Sequence, residues 1–328
     1  MINDPHTGRV NWIDAAKGTG IILVVIGHTL RGLESANILS FVGDFGRVDA
    51  AIYAFHMPLM FMLSGLFIHK ALPQGWLDYT MKHAQRLIWP LFLWTYIFFI
   101  SKILAGGAAN TPISWQKFPI FPLPPQVHFW FLWALFLEFL FIKLIYTLCC
   151  AIQVKAISWP AVTFVVLLLV LIWLSYGLYS PWTQQALVYL PLTLAGMSVR
   201  SFLFTKPLYV LFGSVVLAYF TVLTPLSNTG SVYNYGIAAS VSTAIISVLS
   251  LLSRRISYAW LMVVGQASMA IFLSHTIASA LVRAVLISMG MRDVVVHIVL
   301  GVASGIILPL IAFISIKKNK RALKIAGW

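Results

Sequence analysis

The sequence predicts an all-α, polytopic membrane protein of about ten transmembrane helices with both termini cytoplasmic. Three observations predict it. Of 328 residues, 60% are hydrophobic and only 9% charged, with a mean hydropathy of +0.92; soluble domains average about 25% charged residues. The apolar residues fall into runs of roughly 20, the length a helix needs to cross a ~30 Å hydrocarbon core. The basic residues are also unequally shared between alternate connections.

The ten runs lie at 12–32, 51–69, 87–105, 128–150, 157–176, 184–203, 207–225, 234–252, 262–288 and 294–316, within one membrane domain covering 1–328. With the amino terminus inside, the inner segments hold Arg9, Lys70, Lys82, Arg86, Lys143, Lys155, Arg200, Lys206, Arg254, Arg255 and the tail Lys317, Lys318, Lys320, Arg321 and Lys324. The outer side keeps Arg31, Arg47, Lys102, Lys117, Arg283 and Arg292. This bias supports an even helix count. The first run is too long for a signal-peptide core and no small-residue cleavage site follows it, so it is expected to be retained. The formal charge of +14 does not point to nucleic acid, because the basic residues are scattered between apolar segments. Cys149 and Cys150 are adjacent and supply no disulfide framework; they read as buried small residues.

The first run, RVNWIDAAKGTGIILVVIGHTL, carries Arg9, Asp14, Lys17 and His28. Arg, Lys or Asp at membrane depth costs roughly 2.5–3.5 kcal/mol each on insertion scales, so such groups usually face a cavity. Lys17 and His28 are eleven residues apart, close to three helical turns. They share a face, about 16 Å apart along the axis. Asp14 sits one turn below on a neighbouring part of it. A packed histidine alone would be unremarked, but two costly groups on one face point to an anion anchor with a proton-handling group beyond it.

The second run, AFHMPLMFMLSGLFI, sets His56 beside Pro58, whose ring bends the helix and opens space. Before the third run, DYTMKHAQRLIWP holds Lys82, His83 and Arg86 ahead of Pro90. Such a cluster dresses an inner surface or clamps phosphates. Two outer connections exceed simple turns. Residues 33–50 contain Glu34, Asp44, Arg47 and Asp49, and 106–127 include the proline-rich FPIFPLPPQ. Prolines forbid continuous helix there, and Trp115, Phe118, Phe121 and Trp130 suit a membrane interface. This stiff segment roofs a cavity, lines an acceptor entrance or simply anchors.

In order along the chain, DAAKGTGIILVVIGH, FHMPLMFMLSG, a basic pair before a proline, HFWFLWALF at 128–136 and GQASMAIFLSH at 265–275 together resemble the acyltransferase-3 family of membrane O-acyltransferases, in particular its fucose 4-O-acetylase-like branch. The resemblance implies a ten-helix enzyme that moves an acyl group, often acetyl from acetyl-CoA, to a hydroxyl, often of a surface polysaccharide. It implies His28 as the catalytic histidine and Lys17 as its partner in the arginine-or-lysine, ten residues, histidine motif. The family's arginine, two residues, arginine motif falls on His83 and Arg86; histidine replaces the first arginine, with Lys82 beside it.

The mechanism implied keeps the donor phosphates near Lys17, Lys82 and Arg86, while His28 acts as general base or transient acyl carrier. Asp14, His56, Glu138 and His275 are supporting or acceptor-side candidates, and no metal is expected. Partners would be a saccharide or glycolipid acceptor, the bilayer of a bacterial-type inner membrane, and polysaccharide-assembly proteins. The rival is a proton-coupled secondary transporter of a small metabolite, which His28, His56 and Glu138 would also suit. Repeated halves with paired broken helices, common in carriers, are not found in the sequence. An export scaffold would explain the helices but not the Lys17–His28 pair.

Overall fold

The computed structural model describes residues 10–125, 127–154, 157–176, 180–223, 230–252 and 259–328. Arg9, Lys155, Arg254 and Arg255 lie outside them, as does the side chain of Lys117. The described residues form α1 (Asn11–Ser35), α2 (Asp44–Ile68), α3 (Trp76–His83), a π-turn (Ala84–Ile88), α4 (Trp89–Ala105), α5 (Trp130–Ala151) and α6 (Trp159–Ser175). They continue with α7 (Gln184–Thr205), α8 (Pro207–Leu223), α9 (Gly230–Leu252), α10 (Ala259–Gln266), α11 (Ser268–Ser288), α12 (Val294–Ile316) and α13 (Lys320–Ala326). No strand occurs among them. Among the described residues eight helical stretches are long and apolar enough to cross a membrane, and two shorter apolar helices, Trp159–Leu174 and Pro207–Tyr219, stand between them. The protein is an all-α polytopic membrane protein.

The helix α1 is the hub and touches α2, α9, α10, α11 and α12. Lipid tails are as apolar as leucine, so what brings such helices together is close backbone approach over small residues. A Cβ on Gly18 would run into the Leu261 carbonyl, and one on Gly265 into that of Asp14. That mutual approach seats α10 on α1. The expected continuous helix at 262–288 is broken at Ala267, so α10 can follow α1 while α11 takes its own direction. Gly65 and Gly196 do the same for α2 and α7, against the carbonyls of Thr193 and Met62.

Two other helices start earlier than their apolar runs. The second begins at Asp44 rather than 51, after Gly43 turns the chain at φ +69°, so Asp49 is helical rather than in a loop. The third begins at Trp76 rather than 87 and passes through the π-turn that carries Arg86. Pro90 lacks the N–H that would bind the Arg86 carbonyl, and the chain takes that turn wide. At the end of α5 the cysteines differ from expectation too: Cys149 is half-buried and Cys150 exposed, because the helix presents its last turn outward.

The connection after α2 is held from α5. The Lys143 Nζ donates to the carbonyls of Leu72 (2.6 Å) and Gln74 (2.7 Å). Its ammonium also faces the rings of Trp76, Tyr79 and Tyr146. At the opposite end, the proline-rich segment packs along α4: Tyr96 donates to the Ile120 carbonyl at 2.9 Å, and its ring stacks on Phe118. Asn110 reaches α1 and donates to the Gly32 carbonyl at 2.8 Å.

Candidate active site

Three imidazoles meet where α1, α5 and α11 converge. The centroid of the His28 ring lies 5.5 Å from that of His128 and 5.2 Å from that of His275, and the latter two are 5.2 Å apart. His128 stands in the 3-10 turn opening α5, directly after the proline-rich segment. His128 and His275 are buried, while His28 is half-buried. His28 is the least buried member of the triangle.

Hydrogen bonding fixes one tautomer. The Nδ1 of His275 lies 2.9 Å from the carbonyl oxygens of both Ile271 and Phe272. A carbonyl only accepts, so Nδ1 carries the proton and the Nε2 of the neutral ring is a bare acceptor. That Nε2 is buried with no protein partner, as is the Nε2 of His128. Buried polar atoms are paired as a rule, so two orphans beside a third imidazole mark a place for polar chemistry.

A second tier closes over the triangle. Arg31, one turn beyond His28, forms a two-pronged bridge to Asp49 of α2, both contacts 3.1 Å. Its guanidinium carbon sits 3.2 Å from the centre of the Tyr53 ring. Tyr53 in turn stands edge-on to His28, with centroids 6.3 Å apart, and to His56, 4.6 Å apart. His56 donates from Nδ1 to the Ile52 carbonyl at 2.7 Å, leaving Nε2 as an acceptor.

The remaining predicted residues lie elsewhere. Lys17 pairs with Asp14 at 3.9 Å, three turns down α1 from His28. Lys82 and Arg86 are exposed on α3 and the π-turn. His83 is turned away from them: it is buried, bonds to the Tyr79 carbonyl at 2.7 Å and packs on Phe139. Glu138 is buried between α5 and α7 and accepts from the Thr193 hydroxyl at 2.5 Å. It is ten residues beyond His128, about 15 Å along the helix. The structure therefore brings His28, His56 and His275 together and leaves Glu138 and His83 outside that group. Among the described residues no group of three His, Cys, Asp or Glu is placed to hold a metal ion.

Four site residues escaped the sequence reading as functional groups. His128 was in view, opening the HFWFLWALF motif, but only as part of a pattern. Starting α2 at 51 left Asp49 in a loop, which hid its pairing with Arg31 across Tyr53. Counted from Asp44, Asp49, Tyr53 and His56 recur at helical spacing on one face.

Beside the start of α5 is a cleft of about 220 Å³ walled by Trp130, Trp133, Trp182, Gln184 and Gln185. Trp133 donates its indole N–H to the Trp182 carbonyl at 2.7 Å, and Trp130 stacks on Tyr189. Flat indole faces with amide groups between them form a surface that is both apolar and hydrogen-bonding.

Residues 10–314 match the family described as an acyltransferase domain, acyltransferase-3. The chain is 30% identical over 141 residues to the nodulation protein NolL of Mesorhizobium japonicum, covering 41% of this chain and 35% of that protein. It is 30% identical over 136 residues to NolL of Sinorhizobium fredii, covering 40% and 35%. These alignments thus span about a third of the length of the relatives. No solved structure matches. With nearly the whole described bundle inside the family match, the chain belongs to the acyltransferase-3 family.

Proposed function

We propose that the protein is an O-acetyltransferase that moves an acetyl group from acetyl-CoA to a saccharide hydroxyl, in a surface polysaccharide or its precursor. The observation that carries this reading is the triangle of His28, His128 and His275, with two buried ring nitrogens that have no protein partner. His28 takes the proton of the acceptor hydroxyl as its oxygen attacks the thioester carbonyl. The carbon–sulfur bond then breaks, and the imidazolium returns the proton to the leaving thiolate. The alternative route passes through an acetyl-His28 intermediate with the same proton balance. His275, held as the Nδ1–H tautomer, positions His28 or the hydroxyl through its bare Nε2.

The two ends of the bundle suit two substrates. Lys17, Lys82 and Arg86 belong to the end read as cytoplasmic, where a membrane-impermeant, anionic donor would be met. The tryptophan cleft beside His128 suits the apolar faces and hydroxyl edges of a pyranose. This arrangement supports a bacterial inner-membrane location with both termini cytoplasmic, and a saccharide or glycolipid partner delivered by polysaccharide-assembly proteins.

The test is His28→Ala in purified protein and in cells. Transfer of acetyl from acetyl-CoA should be lost while expression and thermal unfolding stay as in the unmodified protein. Surface glycans from cells carrying the gene should show an acetyl mass increment that is absent without it. Retained transfer by His28→Ala would remove the catalytic assignment.

A further inference from the structure

After α12 the chain reads IKKNKRALKIAGW, with Lys317, Lys318, Lys320, Arg321 and Lys324 and no acidic residue. All five cations are exposed. Basic residues that merely orient a membrane protein need no fixed place. These have one. Asn319 caps α13 by accepting from the N–H groups of Arg321 (3.0 Å) and Ala322 (3.1 Å). From α4, the indole of Trp89 donates to the Ile325 carbonyl at 3.0 Å and that of Trp94 to the Ala326 carbonyl at 2.8 Å. The Trp328 ring stacks on Trp94, with centroids 6.1 Å apart and planes 23° apart.

Gly327 completes the dock. It is buried in the left-handed region at φ +76°, and a Cβ there would meet the Pro90 ring at 2.8 Å. The tail is thereby fixed to the first turns of α4, immediately beyond the π-turn that presents Arg86. Lys324 adjoins Ile325, and Arg86 lies one turn before Trp89, so each cation is within a turn, along its own segment, of the Trp89–Ile325 bond. Between Trp76 and Pro90 the one acidic residue is Asp78. The family match ends at residue 314, before this segment begins.

We propose that α13 and the α3–π-turn segment form one phosphate-binding platform for the nucleotide end of the acyl donor. Lys320, Arg321 and Lys324 supply one side, and Lys82 and Arg86 the other. Arginine gives two-pronged contacts to phosphate and lysine adaptable point charges. Docking the tail in advance lowers the ordering cost that a free basic tail would meet on binding. The proposal rests on the acetyl-CoA reading above and adds to it the cations of α13, which lie beyond the family match.

The experiment uses the full chain in nanodiscs of neutral phosphatidylcholine, with coenzyme A and adenosine 3′,5′-bisphosphate as binding probes. The triple substitution Lys320→Gln, Arg321→Gln, Lys324→Gln should weaken both probes about tenfold, because three exposed pairs together are worth that much. In turnover it should raise the KM for acetyl-CoA and leave kcat and the acceptor KM unchanged. The loss should shrink when 3′-dephospho-coenzyme A is the probe. Trp94→Phe, which keeps the ring and removes the bond to Ala326, should reproduce part of the loss without removing any charge. If the triple variant binds both probes as tightly as the parent, the platform is overturned while the donor reading stands. The platform is likewise overturned if the variant loses only affinity for phosphatidylglycerol vesicles, since the tail then serves lipid headgroups. If the unmodified protein binds neither probe, the donor reading itself fails, and this proposal with it.

Discussion

Arg31 lies across the face of Tyr53, 3.2 Å from the ring centre, while its two nitrogens hold both carboxylate oxygens of Asp49. One residue thus ties α1 to α2 and sets the ring that stands edge-on to His28 and His56. A fork that must grip a carboxylate and lie flat on a phenol is arginine chemistry; lysine offers neither geometry.

Arg31→Lys should therefore impair turnover more than folding. We expect kcat to fall about tenfold, a 1.4 kcal/mol change in the barrier, as His28 loses its fixed neighbour. The Arg31 side chain is 48% exposed, so the bridge contributes under about 1 kcal/mol to stability, and the unfolding midpoint should move little. Asp49→Asn should behave alike. An unaltered kcat in both would mean that the bridge is only a tie between helices.

The histidine triangle separates a proton acceptor from its supports. Loss of His28 should abolish transfer, whereas His128→Ala and His275→Ala should each lower kcat about 10²-fold, the lower range for positioned proton-transfer groups. His275→Asn should recover part of the loss, because its side-chain N–H takes the place of Nδ1–H and can still donate to the Ile271 carbonyl. Thiol release from acetyl-CoA reads all four variants. Equal losses for His275→Asn and His275→Ala would mean that the tautomer of His275 has no part in transfer.

Much of this site was legible in the sequence, and the exceptions have physical causes. His28 and Lys17 stood out because charge is costly in an apolar run, and that cost holds whatever the tertiary structure. His275 came instead from the family resemblance, as the end of GQASMAIFLSH. His128 sits at the edge of its run, where a histidine costs little, and nothing local distinguishes it. Only convergence of α1, α5 and α11 gives it meaning. Glu138 shows the reverse. It was singled out as a supporting or acceptor-side candidate, but its partner Thr193 is 55 residues away, and that pairing sets it apart from the triangle. Helix starts failed at Asp44 and Trp76 because the apolar pattern begins later than the hydrogen bonding does.

Lys143 carries a stability prediction. Its residue is 4% exposed and its ammonium satisfies two backbone carbonyls within an aromatic cage. Lys143→Leu keeps the bulk but strands the Leu72 and Gln74 carbonyls, at about 1–3 kcal/mol for each buried group left unpaired. The thermal midpoint in detergent should drop by several degrees, and protease should nick the 69–75 connection faster. Unchanged protection there would show that water replaces the ammonium at no cost.

Glycine substitutions should split by what surrounds each site. At Gly65 a Cβ would collide with the Thr193 carbonyl, a backbone atom that cannot rotate aside, and Gly196 opposes Met62 in the same seam. Gly65→Ala must push α2 and α7 apart, which costs about 1–3 kcal/mol as overpacking. It also disturbs Thr193 and its bond to Glu138. At Gly213 of α8 nothing lies within 4 Å of the added carbon, so Gly213→Ala gains only helix propensity, up to about 1 kcal/mol. The two alanines should shift the unfolding midpoint in opposite directions, measured by intrinsic fluorescence in one detergent. A stabilising Gly65→Ala would mean that α2 and α7 do not pack backbone to backbone, and the position of Glu138 would have to be redrawn with them.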